Sequence, residues 1–271
     1  MKIDLHSHTA MSDGTLSPQE LSNFMGERGV EVFSISDHDT LAAYGNFEPP
    51  AGASVITGIE INTTWRENEV HVLGYGVPLG PSPINELLEY NQTQRRIRAE
   101  TMVERMRKAG YGITLDEILR ESGGALSIGR PHVAKALVRL GLVDSVDAAF
   151  RQVLTPGKPG YVPQLYTTPE HAIEQIAAAG GIPVLAHPGR LRDRILIDEL
   201  VEHGLRGLEV FYPLHDPADT REFRETARKY GLVMTGGMDF HDIRYHTAGV
   251  GMEVDRADIA PFLELVEVFA K

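Results

Sequence analysis

The chain opens on short apolar runs of strand length, each followed by a segment whose apolar positions recur at helical spacing. Residues 3–6 read as a first strand. Ser17 then marks a helix start, with Pro18 at the first helical position and Glu20 at the third, so that the free N–H groups of the first turn find partners; this helix is predicted to end near Gly29. Residues 32–36 and 55–61 read as further strands, and residues 69–77 return from the latter as a hairpin through Trp65-Arg66-Glu67-Asn68.

From about residue 81 to residue 154 the period becomes helical. A long polar helix is predicted over 92–108, with shorter ones over 116–121, 131–140 and 146–153, and the turn Thr155-Pro156-Gly157-Lys158-Pro159-Gly160 closes the block. The long helix carries Arg95, Arg96, Arg98, Arg105 and Arg107 with Glu100 and Glu104 between them, which reads as a solvated face with i,i+4 pairs. Beyond the turn, helices over 169–179, 196–203 and 217–230 alternate with strands over 183–186, 208–211 and 233–236. Strand–helix repetition of this kind predicts a parallel α/β sheet closed as a barrel. The expected organisation is a barrel domain from residues 1–78 and 165–271, with residues 79–164 inserted as a small helical, substrate-binding domain.

Composition narrows the class. At 271 residues the chain suits one sizeable domain with an insertion. It has no cysteine, which excludes disulfides and thiolate metal sites. No apolar run approaches the length of a membrane span and no leader precedes the first strand, so a cytoplasmic location is expected, away from any membrane. A formal net charge of -12 argues against broad binding to a nucleic-acid backbone, but leaves room for a short nucleotide in a locally basic pocket. Nothing in the chain calls for an obligate protein partner.

The strand-like segments end in potential metal ligands. The first gives His6 and His8, two apart and so on one face of a strand, with Asp13 shortly after. The others give Asp37-His38-Asp39, Glu60, His71, His187, and Asp239 with His241. In a parallel barrel the C-terminal strand ends converge on one face, so residues from both ends of the chain would meet there. Imidazole mixed with carboxylate suits Mn, Fe or Zn. His171 and His203, on predicted helices, read as surface residues, and His246 is given no role.

In order along the chain, His6-Ser7-His8, Ser36-Asp37-His38-Asp39, Gly58-Ile59-Glu60, Ala186-His187-Pro188 and Asp239-Phe240-His241 resemble the motifs of the polymerase-and-histidinol-phosphatase (PHP) family. The resemblance implies a distorted (β/α)7 barrel holding two or three divalent ions, Mn2+ first, with Fe2+, Zn2+ or Mg2+ also compatible. Position by position it implies a first ion held by His6, His8, Glu60 and Asp239. Glu60 would bridge to a second, completed by His71 and His187, and Asp13, His38 and His241 would hold a third. Asp37 and Asp39 are read as partners that orient imidazoles, with helix capping by Asp39 as the alternative.

Ions a few ångströms apart suit hydrolysis of a phosphate ester, in which a bridging water loses its proton near neutral pH and attacks phosphorus in line. Arg190 is expected to grip the phosphoryl group with its guanidinium fork, a surface ion pair being the alternative, and His215, after a predicted strand, is either an acid for the leaving group or an exposed structural histidine. In the insertion, Arg130 and His132 stand at a helix start, where free N–H groups favour an anion, and Lys158 sits in a Gly- and Pro-shaped loop. Together they are expected to form a second phosphate pocket, with Tyr161 either stacking on a base or packing on the barrel. Both segments resemble the PHP subfamily of nucleoside 3′,5′-bisphosphate phosphatases and 5′-to-3′ exoribonucleases. That implies removal of a 3′ phosphate from a bisphosphate nucleotide, or release of the 5′ nucleotide from short 5′-phosphorylated RNA. Two readings stand beside it: another PHP phosphatase, such as one acting on histidinol phosphate, and a non-catalytic metal- or nucleotide-binding module.

Overall fold

The computed structural model describes residues 1–244 and 249–266, so His246 lies outside the described residues. Its frame is one curled sheet. The strands are β1 (Lys2–Asp4), β2 (Val32–Ile35), β3 (Ser54–Trp65), β4 (Asn68–Tyr75), β5 (Ile182–Leu185), β6 (Gly207–Phe211), β7 (Val233–Gly236) and β8 (Met252–Glu253). They lie side by side as β7-β6-β5-β4-β3-β2-β1-β8. The Leu5 N–H donates to the Gly236 carbonyl (3.0 Å) and the His8 N–H to that of Phe240 (2.8 Å), so the first and seventh strands meet and the barrel is nearly closed. Gly237 permits this approach: a Cβ there would stand 2.3 Å from the His6 nitrogen.

The sheet is parallel apart from two strands, the anticipated hairpin return among them. β4 runs antiparallel to both β3 and β5, and β8 antiparallel to β1. The hairpin anticipated at Trp65–Asn68 accounts for the first departure. Arg66 and Glu67 both take positive φ (45° and 66°), the backbone of a tight turn whose twist matches its strands. β3 also runs five residues past Glu60, so the hairpin stands as a wall above the barrel rim.

Helices wrap this frame. α1 (Pro18–Glu27) starts on the anticipated Ser17–Glu20 capping box. In the insertion lie α2 (Ile84–Lys108), α3 (Leu115–Glu121), α4 (Arg130–Arg139) and α5 (Val146–Ala149), the last running on as a π-turn through Phe150–Leu154. The barrel resumes with α6 (Pro169–Ala178), α7 (Ile195–Glu202) and α8 (Pro217–Tyr230), and α9 (Arg256–Leu265) follows β8. Neither β8 nor α9 was anticipated, the first because two residues carry no period, the second because Pro261 interrupts its pattern.

Alternate strand residues divide between two cores, as a two-residue period requires. Leu73, Tyr75, Val184 and Ala186 pack with Ile259 and Phe262 of α9, whereas Val70, Val72, Leu185 and Leu208 lie beneath α6, α7 and α8. The insertion has a core of its own, with Met102, Met106, Ile113, Val133, Leu137 and Leu154 in contact. α2 is not the solvated helix its composition predicts. Arg95 and Arg98 are buried, the first bonded through Nε to Asp39 (2.7 Å) and the second to the Val162 carbonyl (3.0 Å). Only Arg96 and Glu100, 3.3 Å apart on the exposed side, form the expected i,i+4 pair.

Candidate metal centre

All nine anticipated donors lie together at one end of the barrel. His6 and His8 leave β1, His38 leaves β2, His187 leaves β5, and Asp239 and His241 follow β7. Glu60 and His71 differ: they lie within β3 and β4, two rows apart on the hairpin ladder, where His71 faces Asn62 and Glu60 faces Leu73. The chain must bend sharply to aim several of these groups. Asp39, His187 and Asp239 have φ of 52°, 29° and 51°, conformations that non-glycine residues adopt only where the surroundings enforce them.

Among the described residues, three groups have donor atoms within 4.8 Å of one another: His6, His8, Glu60 and Asp239; His38, Glu60 and His71; and His8, Asp13, His38 and His241. Asp239 Oδ1 is 3.4 Å from His6 Nε2 and 3.3 Å from His8 Nε2. Glu60 is the common member of the first two groups. Its Oε1 meets His71 Nδ1 at 2.7 Å and His187 Nε2 at 3.1 Å, while its Oε2 meets His38 Nδ1 at 3.0 Å and His8 Nε2 at 3.3 Å. Asp13 reaches His241 Nε2 at 3.3 Å.

Burying so many polar atoms is costly unless something satisfies them. His6 Nε2, both ring nitrogens of His8 and Glu60 Oε2 are buried without a hydrogen-bond partner. Unpaired lone pairs converging from imidazoles and carboxylates fit divalent cations. The electrostatics agree. Burial pushes the Glu60, Asp239 and Asp13 carboxyls up, but the surrounding imidazolium charge more than offsets it and holds each well below the usual carboxylate range. Burial likewise opposes charge on His8 and His71, yet the adjacent carboxylates raise them to about 10 and about 9. A pocket that holds protons so strongly is electronegative, as a cation site must be.

Groups behind the donors fix their orientation, and most escaped the sequence. Glu209 on β6 accepts from His6 Nδ1 (2.9 Å) and from the His187 N–H (2.7 Å), which leaves His6 Nε2 free to face the cluster. The Tyr212 hydroxyl donates to Asp239 Oδ2 at 3.0 Å. Asn62 bonds His38 Nδ1 (2.9 Å) and Asp39 (3.2 Å), so Asp39 steadies that imidazole at one remove. Asp39 caps no helix; with its bond to Arg95 it docks α2. Asp37 orients no imidazole directly. It accepts from the Thr9 N–H and hydroxyl and from Ser12, and so shapes the loop that presents Asp13.

Above the cluster opens a cleft of about 510 Å³, with Asp13, His38, Glu60, His71, Asp239 and His241 on its floor. Arg130 and Arg190 are on its wall, as are Arg95 and Arg98. Arg190, in the turn Pro188–Arg190, stands 3.7 Å from Asp239 Oδ2 with its side chain more than half exposed. Three expected contacts are placed elsewhere. His132 is buried behind the start of α4, where its Nδ1 accepts from the Gly129 N–H (3.0 Å); burial pushes its pKa down to about 4, so it brings no charge to an anion. Lys158 projects from an exposed turn and lines neither this cleft nor the second cavity beside it. His215 has both nitrogens engaged, Nε2 accepting from Gly189 and Nδ1 donating to the Val210 carbonyl, so it seats the turn carrying Arg190 and has no proton to spare for a leaving group. Tyr161 lines the second cavity.

The chain is 33% identical over 247 residues to a 3′,5′-nucleoside bisphosphate phosphatase of Chromobacterium violaceum, covering 88% of this chain and 87% of that protein. It is 35% identical over 249 residues to the 5′-3′ exoribonuclease Rnm of Escherichia coli K12, covering 88% and 84%. With a phosphoribosyl 1,2-cyclic phosphate 1,2-diphosphodiesterase of Eggerthella lenta it shares 32% identity over 260 residues, 93% and 98% of the two chains. Among solved structures, an amidohydrolase from Chromobacterium violaceum with bound sulfate and no metal superposes with a TM-score of 0.86 at 31% identity, over 97% of this chain and 95% of that one. No family model matches the chain.

Proposed function

The chain belongs to the PHP family of metal-dependent phosphoesterases, and from that premise we propose that it hydrolyses a phosphate ester of a small nucleotide anchored by its 5′ phosphate. The ester cut is the 3′ phosphate of a nucleoside 3′,5′-bisphosphate, or the linkage that releases the 5′ nucleotide of a short RNA. The observation that carries this reading is that Arg130, at the start of α4, faces the same cleft as the clustered donors.

His6, His8, Glu60 and Asp239 would hold one cation; Glu60, His71 and His187 a second; and Asp13, His38 and His241 a third, a mixed imidazole and carboxylate set that suits Mn2+, Fe2+ or Zn2+. When bound, such ions supply an activated water and neutralise charge on the phosphoryl oxygens. The remaining work falls to the chain. Arg190, held beside Asp239 by the turn that His215 seats, offers its free N–H groups to the phosphoryl group being cut. Arg130 takes the 5′ phosphate.

Arg98, not Lys158, is the second cation at that phosphate. It is buried, lines the cleft with Arg130, and its Nη2 has no hydrogen-bond partner. Burial, with the charge of Arg130, lowers the Arg98 pKa, and an anion between the two guanidiniums relieves both. A ligand fixed at these arginines extends toward the floor of the cleft, so the ester beyond its ribose reaches the donor cluster.

The test is an assay with Mn2+ comparing adenosine 3′,5′-bisphosphate, a short 5′-phosphorylated RNA and histidinol phosphate. The expected order places either or both nucleotide substrates well ahead in kcat/KM. Preference for histidinol phosphate overturns the assignment.

A further inference from the structure

Glu69 lies on β4 two residues before His71, so the strand's two-residue period sets both side chains on one face of the hairpin wall. Its carboxylate is divided between two partners. Oε1 accepts from His71 Nε2 at 3.1 Å, and Oε2 accepts from an Arg130 Nη at 2.8 Å. His71 in turn presents Nδ1 to Glu60 at 2.7 Å. The Glu69 carboxylate thus has an imidazole on one oxygen and a guanidinium on the other, and is shared between them. Glu69, His71 and Arg130 also line both the main cleft and the adjoining cavity of about 280 Å³, so the bridge stands in the partition between them.

We infer that Glu69 is a positioning residue that couples the 5′-phosphate anchor to the metal cluster, so that filling one site strengthens the other. The inference rests on the reading of Arg130 as the phosphate anchor. A carboxylate behind a metal-facing imidazole fixes its tautomer and raises its basicity. Here that carboxylate is shared. A phosphate arriving at Arg130 competes for the guanidinium's donors and leaves Glu69 more fully to His71, whose Nδ1 becomes the better donor. By reciprocity, a cation at His71 polarises the imidazole, tightens its hold on Glu69 and frees Arg130 for the phosphate.

The experiment measures Mn2+ binding by calorimetry, with and without saturating adenosine 5′-monophosphate, in the wild type, Glu69→Gln and Arg130→Ala. In the wild type the nucleotide is expected to tighten Mn2+ several-fold. Glu69→Gln, which keeps the shape but loses the charge, should weaken Mn2+ alone by about tenfold. It should still bind the nucleotide, and the nucleotide should no longer alter its Mn2+ affinity. Coupling that persists undiminished in Glu69→Gln, as it would if the phosphate touched the cations directly, overturns the inference, as does absence of coupling in the wild type. Arg130→Ala keeps the two failures apart: if it binds the nucleotide as tightly as the wild type, the anchor assignment itself is wrong, whatever Glu69 does.

Discussion

Glu60 carries more of the site than any other residue, because its two carboxylate oxygens face five imidazoles at 2.7–3.3 Å. Asp239 is the corresponding member from the far end of the chain, held by Tyr212 behind and facing His6 and His8 in front. Removing either leaves buried imidazoles converging on a site with less negative charge to hold a cation. Glu60→Ala and Asp239→Ala should each lower turnover of any phosphomonoester by more than roughly 100-fold, beyond the loss expected from an outer partner alone. Steady-state assays across a range of Mn2+ concentrations check this, and near-wild-type activity in either variant rules out the shared cluster. The donors themselves were legible because each lies beside a short apolar strand and the types are few. Glu209 was not, since it meets His6 across 203 positions of sequence and looks like any strand carboxylate.

At the scale of elements, the barrel and the inserted helices are joined through polar contacts as well as packing. Asp39 receives Arg95 Nε (2.7 Å) and Asn91 Nδ2 (2.8 Å) from α2, and Asn91 also reaches the Asn62 carbonyl (2.8 Å). Arg95 is 4% exposed and Asp39 not at all. Truncating one partner of such a buried pair strands the other, which costs about 3 kcal/mol. Arg95→Ala should therefore lower the unfolding free energy measured in urea by that amount, and Asp39→Asn combined with Arg95→Met should recover part of it. A loss below about 1 kcal/mol in the single variant would show that the contact does not hold α2 in place. This is also where composition misled. The alternating Arg and Glu of α2 look solvated in sequence, because the partner that buries Arg95 lies 56 positions away. The strand–helix order and most helix starts were readable, since caps and periods are local; the sense of β4 was readable only through the hairpin turn that precedes it.

For the whole molecule, both ends of the chain and the insertion between them are needed for one cleft. The barrel supplies the donors and the reaction class, while α2 and α4 supply the arginines that would select a nucleotide. The helix start at Arg130 drew attention in the sequence, but the roles of its neighbours were not legible there. A buried capping histidine and a surface histidine are the same letter, and only the packing of the loop around Asp13 puts His132 inside. A lysine in a Gly- and Pro-rich turn is equally plain in sequence, whereas Arg98 is drawn to the cleft by a helix whose buried side no local pattern marks. On the proposed reading the cleft divides its work, with Arg130 selecting the nucleotide and the donor cluster cutting the ester. The most direct test is kcat/KM of Arg130→Ala on adenosine 3′,5′-bisphosphate and on p-nitrophenyl phosphate, measured side by side with Mn2+. Loss of one charged hydrogen-bonding anchor predicts a fall of about 100-fold on the nucleotide and near-wild-type values on the generic ester; an equal fall on both would contradict the account.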